Sequence, residues 1–262
     1  MTVGVVTGAA SGMGRECVQR LLGTVEHLVA VDLNRPEIDG AIGVACDVSD
    51  AGAVASLAEW VADTGPFRAL IHAAGLSPSM AMSRRIIDVN LLGTVHVLDA
   101  FEPLVVPGSA AVCFASSAAY IPTEFLGPEL MDLLGQARSE GLLDRAAALL
   151  PDSGLAYSWS KKAVQVEVAR AAVRWGPRGG RVVSVSPGLI DTPMGRLEFD
   201  NHPVMKQMLD DTPLGRLGQA NELAAAAAFL VSDEASFISG IDLLVDGGSH
   251  AASTSSSASA GS

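Results

Sequence analysis

The chain has 262 residues, 49% of them apolar, enough to bury one large α/β core. Its 29 acidic and 17 basic residues leave a net charge of −12, which repels phosphate backbones and anionic lipid and argues against nucleic acid or membrane as partners. Cys17, Cys46 and Cys113 are scattered, in no metal-ligand spacing, and read as the reduced thiols of a cytoplasmic protein with no metal site. The N-terminus shows no charged-then-apolar leader, and the longest apolar run, Leu223 to Val231, falls well short of the roughly 20 residues of a membrane span.

In chain order, short apolar runs predict strands at Val3–Val6, Leu28–Val31, Ile42–Ala45, Ala69–His72, Ala110–Phe114, Arg181–Val185 and Ile241–Val245. They are continuous rather than alternating, the pattern of strands covered on both faces of a parallel sheet. Helical runs lie between them, at Gly14–Leu22, Ala51–Asp63, Ser83–Phe101, Ala156–Trp175 and Ala220–Val231. This alternation predicts an α/β fold: a single doubly wound domain of about seven strands over residues 1–248. The Ser/Ala/Gly-rich tail, 249–262, is expected to be disordered.

Thr7-Gly8-Ala9-Ala10-Ser11-Gly12-Met13-Gly14 follows the first strand and opens the first helix. Glycines there permit a tight turn and bring backbone N–H groups to a pyrophosphate lying on a helix N-terminus. The spacing is Gly-x-x-x-Gly-x-Gly, so its position between strand and helix carries more weight than the glycines themselves. Asp32 ends the second strand 20 residues after Gly12, where a carboxylate accepts hydrogen bonds from ribose hydroxyls and repels a 2′-phosphate. Arg15 and Arg35 are nearby cations that would favour a phosphate instead; NAD(H) is favoured over NADP(H). Asp47-Val48, after the third strand, reads either as a grip on the adenine or as a helix cap.

One segment breaks the rhythm. Between Ile121 and Gly154, Leu130, Met131, Leu133, Leu134 and Ala137 form an apolar stripe after Pro128, and Leu142, Leu143, Ala146, Ala147, Leu149 and Leu150 form a second. Gly141 separates them and Pro151 ends them. This predicts an inserted helical hairpin over 121–154. The helix that follows carries Tyr157 and Lys161, four residues apart and therefore on one face. An ammonium beside a phenol favours the phenolate, so the Tyr157 pKa is expected to fall.

Together these residues resemble the short-chain dehydrogenase/reductase family over nearly the whole chain up to the tail. The resemblance joins Thr7–Gly14, Asp32, Asp47, the turn Ala73-Ala74-Gly75, Asn90, Ser117, Tyr157, Lys161, Pro187-Gly188, Thr192 and the closing Asp246-Gly247-Gly248. The insertion, with Leu155-Ala156-Tyr157 and Trp175-Gly176, is most like the bacterial 3α-hydroxysteroid dehydrogenase/carbonyl reductase subgroup. The resemblance implies a Rossmann-type fold and an NAD-dependent enzyme acting on CH–OH donors. Tyr157 would be the general acid/base, Lys161 would lower its pKa and hold the nicotinamide ribose, and Ser117 would bind the substrate oxygen. Asn90 would hold a water leading from Lys161 to solvent. Gly8, Ser11, Gly12, Met13, Gly14, Asp32, Leu33, Asp47, Val48, Ala74, Gly75, Pro187, Gly188, Ile190 and Thr192 would line the cofactor. Ser116 is the serine most easily confused with Ser117; the following Ala118-Ala119 favours Ser117.

Two departures stand out. His72 replaces the Asn with which the family's turn after the fourth strand usually begins, and it reads as a buried, hydrogen-bonded histidine. Ser117 and Tyr157 are 40 residues apart, so the insertion must loop out for the two to meet.

After Thr192, Met194, Leu197, Phe199, Val204, Met205, Met208 and Leu209 form an adaptable apolar surface. With the hairpin as a roof, it suggests a pocket for a secondary alcohol or ketone on a hydrophobic, alicyclic or steroid skeleton. Alternatively, both stripes pack on the protein's own core or on a partner. The family implies a homodimer or homotetramer. A non-catalytic dinucleotide sensor on the same fold is the competing function, disfavoured by the intact Ser117, Tyr157, Lys161 and Asn90 set.

Overall fold

A computed structural model describes residues 1–259. Seven strands form one parallel sheet: β1 (Val3–Thr7), β2 (His27–Asp32), β3 (Ile42–Ala45), β4 (Phe67–His72), β5 (Ala110–Phe114), β6 (Arg181–Pro187) and β9 (Asp242–Val245), in the order β3-β2-β1-β4-β5-β6-β9. All seven begin and end within two residues of the apolar runs read from sequence. The strand order reverses between β1 and β4, so a crevice opens beyond their C-terminal ends, the place where doubly wound sheets bind ligands.

Both sheet faces are covered. On one, α1 (Gly12–Leu21) and α10 (Ala220–Val231) pack over Val6, Ala30, Ile71 and Val112. On the other, α2 (Ala51–Thr64), α4 (Gly93–Phe101) and α7 (Ser153–Trp175) pack over Val5, Val29, Leu70 and Ala111. Alternate residues of each strand therefore serve opposite cores, which is why the runs are continuously apolar.

The helical run from Ser83 to Phe101 contains α3 (Ser83–Ile87), a π-helical turn over Asp88–Leu92, and α4. Such turns recur at functional sites, and Asn90 stands at the centre of this one. A small two-stranded sheet, β7 (Ile190–Asp191) with β8 (Gly218–Gln219), has too few residues to leave a periodic signature in the sequence.

The insertion forms α5 (Gly127–Leu133) and α6 (Leu142–Leu149), as the two stripes predict. It does not roof a pocket. Leu130, Leu133, Ala137, Leu142, Ala146 and Leu150 instead make a third core with Ile87, Leu91, Val95, Ala156 and Trp159. Trp159 is fully buried and donates its Nε1 proton to the Leu130 carbonyl at 2.9 Å. Arg138, between α5 and α6, grips Asp99 of α4 with two hydrogen bonds and also reaches the wholly buried Glu167 of α7. Most of the two stripes is covered by the protein's own helices, while Leu149, and Phe125 ahead of α5, stay exposed.

The expectation of a disordered tail also needs correcting. Ser249–Ser259 form α11. Asp246 accepts the backbone N–H groups of Gly248 and His250, and the His250 ring lies 4.7 Å from that of Tyr120. These contacts start and dock the helix, which composition alone does not reveal. Positions 260–262 of that expectation lie outside the described residues. Among the described residues, no helix is long and apolar enough to cross a membrane, and Cys17, Cys46 and Cys113 are buried free thiols.

Candidate active site

The loop between β1 and α1 is built for close approach. Gly8 has a left-handed φ of +69°, and a Cβ there would stand 2.7 Å from the backbone of Ala73 and Ala74; a Cβ at Gly14 would lie 2.0 Å from the Gly8 carbonyl oxygen. Only glycine admits this contact between loop, helix and the end of β4. Ser11 is the N-cap of α1 yet makes no side-chain cap bond, and the first turn carries no acid. The first N–H groups of this ten-residue helix thus lack a capping side chain, and the positive end of the helix dipole fits an anionic pyrophosphate. Ser11, Gly12, Met13 and Gly14 all belong to this turn, and Met13 also lines the main cavity.

Asp32, at the end of β2, accepts hydrogen bonds from Ala10 N at 2.9 Å and Leu33 N at 2.7 Å. Each carboxylate oxygen keeps a further acceptor position, and the side chain lies beside the phosphate loop as the ribose role requires. Leu33 is exposed. Asp47 is differently occupied. Its Oδ1 holds Ser49 N and Oγ, and its Oδ2 holds Arg85 at 2.9 Å. Burial pushes the Asp47 carboxyl up, but the bonds to Ser49 and Arg85 outweigh this and keep it below the usual value. Val48 is buried against Gly93, where a Cβ would come within 2.9 Å of Val48 Cγ2. The cap of α2 is Asp50, not Asp47.

His72 is 2% exposed, with Nδ1 2.7 Å from Thr7 Oγ1 and Nε2 3.1 Å from Thr94 Oγ1. Burial, helped by the charge of Lys161, brings its pKa down to about 3, so it is neutral. It is a hydrogen-bonded core histidine, as its position predicts. Asn90 is 1% exposed; its Oδ1 accepts Leu76 N at 2.8 Å, and its Nδ2 donates to Leu76 O at 3.0 Å. It pins the loop after Ala74-Gly75. A Cβ on Gly75 would lie 3.1 Å from Asn90 Oδ1 and 3.3 Å from Lys161 Nζ, so Gly75 is the spacer that lets these two side chains converge.

A cavity of about 1070 Å³ lies beyond the C-terminal ends of the strands. Its wall includes Ser116, Ser117, Tyr157, Lys161, Gly75, Pro187, Gly188, Ile190 and Thr192. The 40-residue separation of Ser117 and Tyr157 is therefore closed by the outward-looping insertion. From the insertion itself only Ile121 and Gly154, its two ends, reach the wall. Of the apolar side chains after Thr192, Met194, Phe199, Met205 and Met208 line the cavity; Leu197, Val204 and Leu209 do not. They sit on α8 (Pro193–Asn201) and α9 (Val204–Asp210), with Thr192 capping α8 through Gly195 N at 3.0 Å.

The proton-transfer candidates differ from expectation in one respect. The Tyr157 pKa is raised rather than lowered: burial pushes it up, a hydrogen bond with the Ser116 hydroxyl pulls it down, and the charge of Glu198 pushes it up. Lys161 does not take part. Its Nζ donates to the Phe114 carbonyl at 2.8 Å and stands 6.0 Å from the Tyr157 ring centre. Burial lowers the Lys161 pKa to about 8, against a small opposing pull from Cys113. The serine whose hydroxyl pulls the Tyr157 pKa down is Ser116, which accepts Ala118 N at 3.2 Å, while Ser117 begins a 3₁₀ turn and faces the same cavity. Motif position singles out Ser117; only the three-dimensional path of the chain brings Ser116 to the phenol.

Sequence reading also passed over Tyr120 and Glu198. Tyr120 donates to Asp242 Oδ2 at 2.8 Å, and Glu198 lines the cavity although it is only 8% exposed. The Asp242 partner of Tyr120 and the Ser79 partner of Glu198 lie more than 100 residues away, beyond the reach of a spacing signal.

The short chain dehydrogenase profile matches residues 2–124, and the profile described as enoyl-(acyl carrier protein) reductase matches residues 143–250. The chain belongs to the short-chain dehydrogenase/reductase family and is an oxidoreductase of that class. D-threitol dehydrogenase of Mycolicibacterium smegmatis is 32% identical, covering 94% of this chain and 92% of its own. The 3-alpha-hydroxysteroid dehydrogenase/carbonyl reductase of Comamonas testosteroni is 29% identical over 95% of this chain and 96% of its own. The crystal structure of the 3-alpha-hydroxysteroid dehydrogenase from Pseudomonas sp. B-0831 complexed with NADH superposes with a TM-score of 0.79 at 29% identity, covering 94% of this chain and 96% of that one.

Proposed function

We propose that the protein is an NAD(H)-dependent oxidoreductase that interconverts a secondary alcohol and a ketone on a hydrophobic, alicyclic or steroid, skeleton. The observation that carries this reading is the meeting of Tyr157, Ser116, Ser117 and Lys161 on the wall of one largely apolar cavity. A bound nicotinamide dinucleotide would accept or supply the hydride. Gly8, Ser11, Gly12, Met13 and Gly14 would hold its pyrophosphate, and Asp32 a ribose.

The chain's own part is proton transfer and orientation. A half-buried phenol with a raised pKa is a proton donor at neutral pH, which suits ketone reduction: Tyr157 gives its proton to the forming alkoxide. In the reverse direction it takes the proton from the alcohol. A serine hydroxyl next to Tyr157 orients the substrate oxygen. Lys161, held by the Phe114 carbonyl 6.0 Å from the Tyr157 ring centre, would hold the nicotinamide ribose. Asn90 keeps the Gly75 loop at the distance that allows Lys161 to enter. A homodimer or homotetramer in the cytoplasm completes the proposal, with the buried free thiols in keeping with a reducing compartment.

A panel of cyclic ketones with NADH and cyclic alcohols with NAD⁺ tests the reading. Turnover of hydrophobic members, reduced at least about 100-fold by Tyr157→Phe, is expected. No turnover on any member, or full turnover in the variant, overturns it. The cofactor preference is tested by titrating NADH and NADPH. The wild type is expected to favour NADH, and Asp32→Ala to lose most of that margin; a wild type that prefers NADPH refutes the assignment.

A further inference from the structure

Three buried polar side-chain atoms among the described residues have no hydrogen-bond partner: Ser77 Oγ, Glu198 Oε2 and Trp175 Nε1. Two of these, on Ser77 and Glu198, belong to the wall of the cavity that holds Tyr157. Other acids are well supplied: the buried Glu167 meets Arg138 and Arg170, and the half-buried Asp242 accepts from Tyr120, Ser184 and Ser186. A buried carboxylate oxygen and a buried hydroxyl left without partners are costly, and their presence calls for an explanation.

Glu198 is anchored but not satisfied. Its Oε1 accepts Ser79 N at 2.8 Å, which ties α8 to the loop carrying Ser77. His202 Nε2 stands 3.2 Å from Glu198 Oε2 and also 3.2 Å from Ser79 Oγ. A single imidazole nitrogen offers at most one proton, so the carboxylate and the hydroxyl compete for it.

We propose that Glu198 is a specificity-determining residue, whose carboxylate accepts a hydrogen bond from a second hydroxyl of the substrate, remote from the reacting carbon, while Ser77 donates to that hydroxyl. This rests on the reading of the cavity as an alcohol and ketone site. An acceptor-only group and a hydroxyl on the same wall match the donor and acceptor of an alcohol. The surrounding charge points the same way: Asp200 and Asp211 share the wall, and Arg196 is engaged by Asp191 at 2.6 Å. A substrate carboxylate at this position would meet unfavourable charge.

The test uses cyclohexanol, 1,4-cyclohexanediol and 4-hydroxycyclohexanecarboxylate with the full-length protein and NAD⁺. The diol is expected to exceed cyclohexanol in kcat/KM by about tenfold or more, and the carboxylate to fall below it. In Glu198→Gln, which keeps the acceptor for Ser79 N, the diol preference should shrink to within about twofold. A purely structural role would lower all three alike and leave their ratios unmoved. Calorimetric binding of the same compounds to the protein with NADH gives the ratio without turnover. Equal or undetectable affinity for the diol and cyclohexanol, or a preference untouched by Glu198→Gln, overturns the inference. A Glu198-dependent binding preference without turnover upholds it and counts instead against the oxidoreductase reading.

Discussion

The ammonium of Lys161 stands 6.0 Å from the centre of the Tyr157 ring and gives its hydrogen bond to the Phe114 carbonyl, 2.8 Å away, rather than to the phenol. The two residues share a helix face, but the protonation of each is governed first by burial. Burial raises Tyr157 and lowers Lys161, in each case by penalising the charged form.

Lys161 makes stability depend on pH in a defined window. Its pKa is about 8 in the fold, against an ordinary lysine value of 10.5. Between those values the unfolded chain binds a proton that the folded one does not, so this residue's contribution to stability rises with pH from about 8 to 10.5. Urea unfolding of the wild type and Lys161→Met across this window should give curves that diverge in slope. The difference between them should change by about 3 kcal/mol from end to end. Parallel curves would contradict it. The comparison is needed because burial of Cys17 and Cys113 pushes both thiols up to about 12, which makes stability fall above pH 9 in either protein.

Ser116 and Ser117 separate by pH profile. The Ser116 hydrogen bond lowers the Tyr157 pKa, so Ser116→Ala should move the alkaline rise of alcohol oxidation to higher pH. Near neutrality this variant should lose about tenfold, with recovery as pH increases. Ser117→Ala should lower kcat/KM at every pH without moving the rise. A shift in the second variant and none in the first would exchange the two roles.

Arg138 holds the insertion to the body of the protein. Arg138→Ala removes the paired bonds to Asp99 and leaves Glu167, wholly buried, with Arg170 alone. The expected loss is about 3–5 kcal/mol by urea unfolding, because an under-compensated buried charge remains. Arg138→Met with Glu167→Met should recover much of it. Since the helices of the insertion do not line the cavity, relative kcat/KM values across substrates should be kept in the folded double variant.

The site was legible in sequence where local chemistry sets it. The glycines at 8 and 14, the carboxylate at the end of β2 and the i,i+4 pair on α7 each follow from a turn, a strand end or a helix period. The environment of Tyr157 was not legible. Its pKa depends on desolvation and on Glu198, 41 residues on, and its hydrogen-bond partner is the serine beside the one the motif favours. The insertion was half legible: its two stripes predict two helices, but which surface they cover depends on Trp159, Ile87 and Leu91 lying beneath them.

The sequence alone therefore determined the strand and helix succession, the phosphate loop and the family, because apolar periodicity and turn residues act over a few positions. Tertiary structure decided what each site side chain faces. The Ser79–Glu198 bond spans 119 residues, and the Arg138–Glu167 pair 29. Contacts at such separations are set by how layers pack, so burial, charge and the unpaired carboxylate oxygen in the cavity wall exist only once the chain has closed.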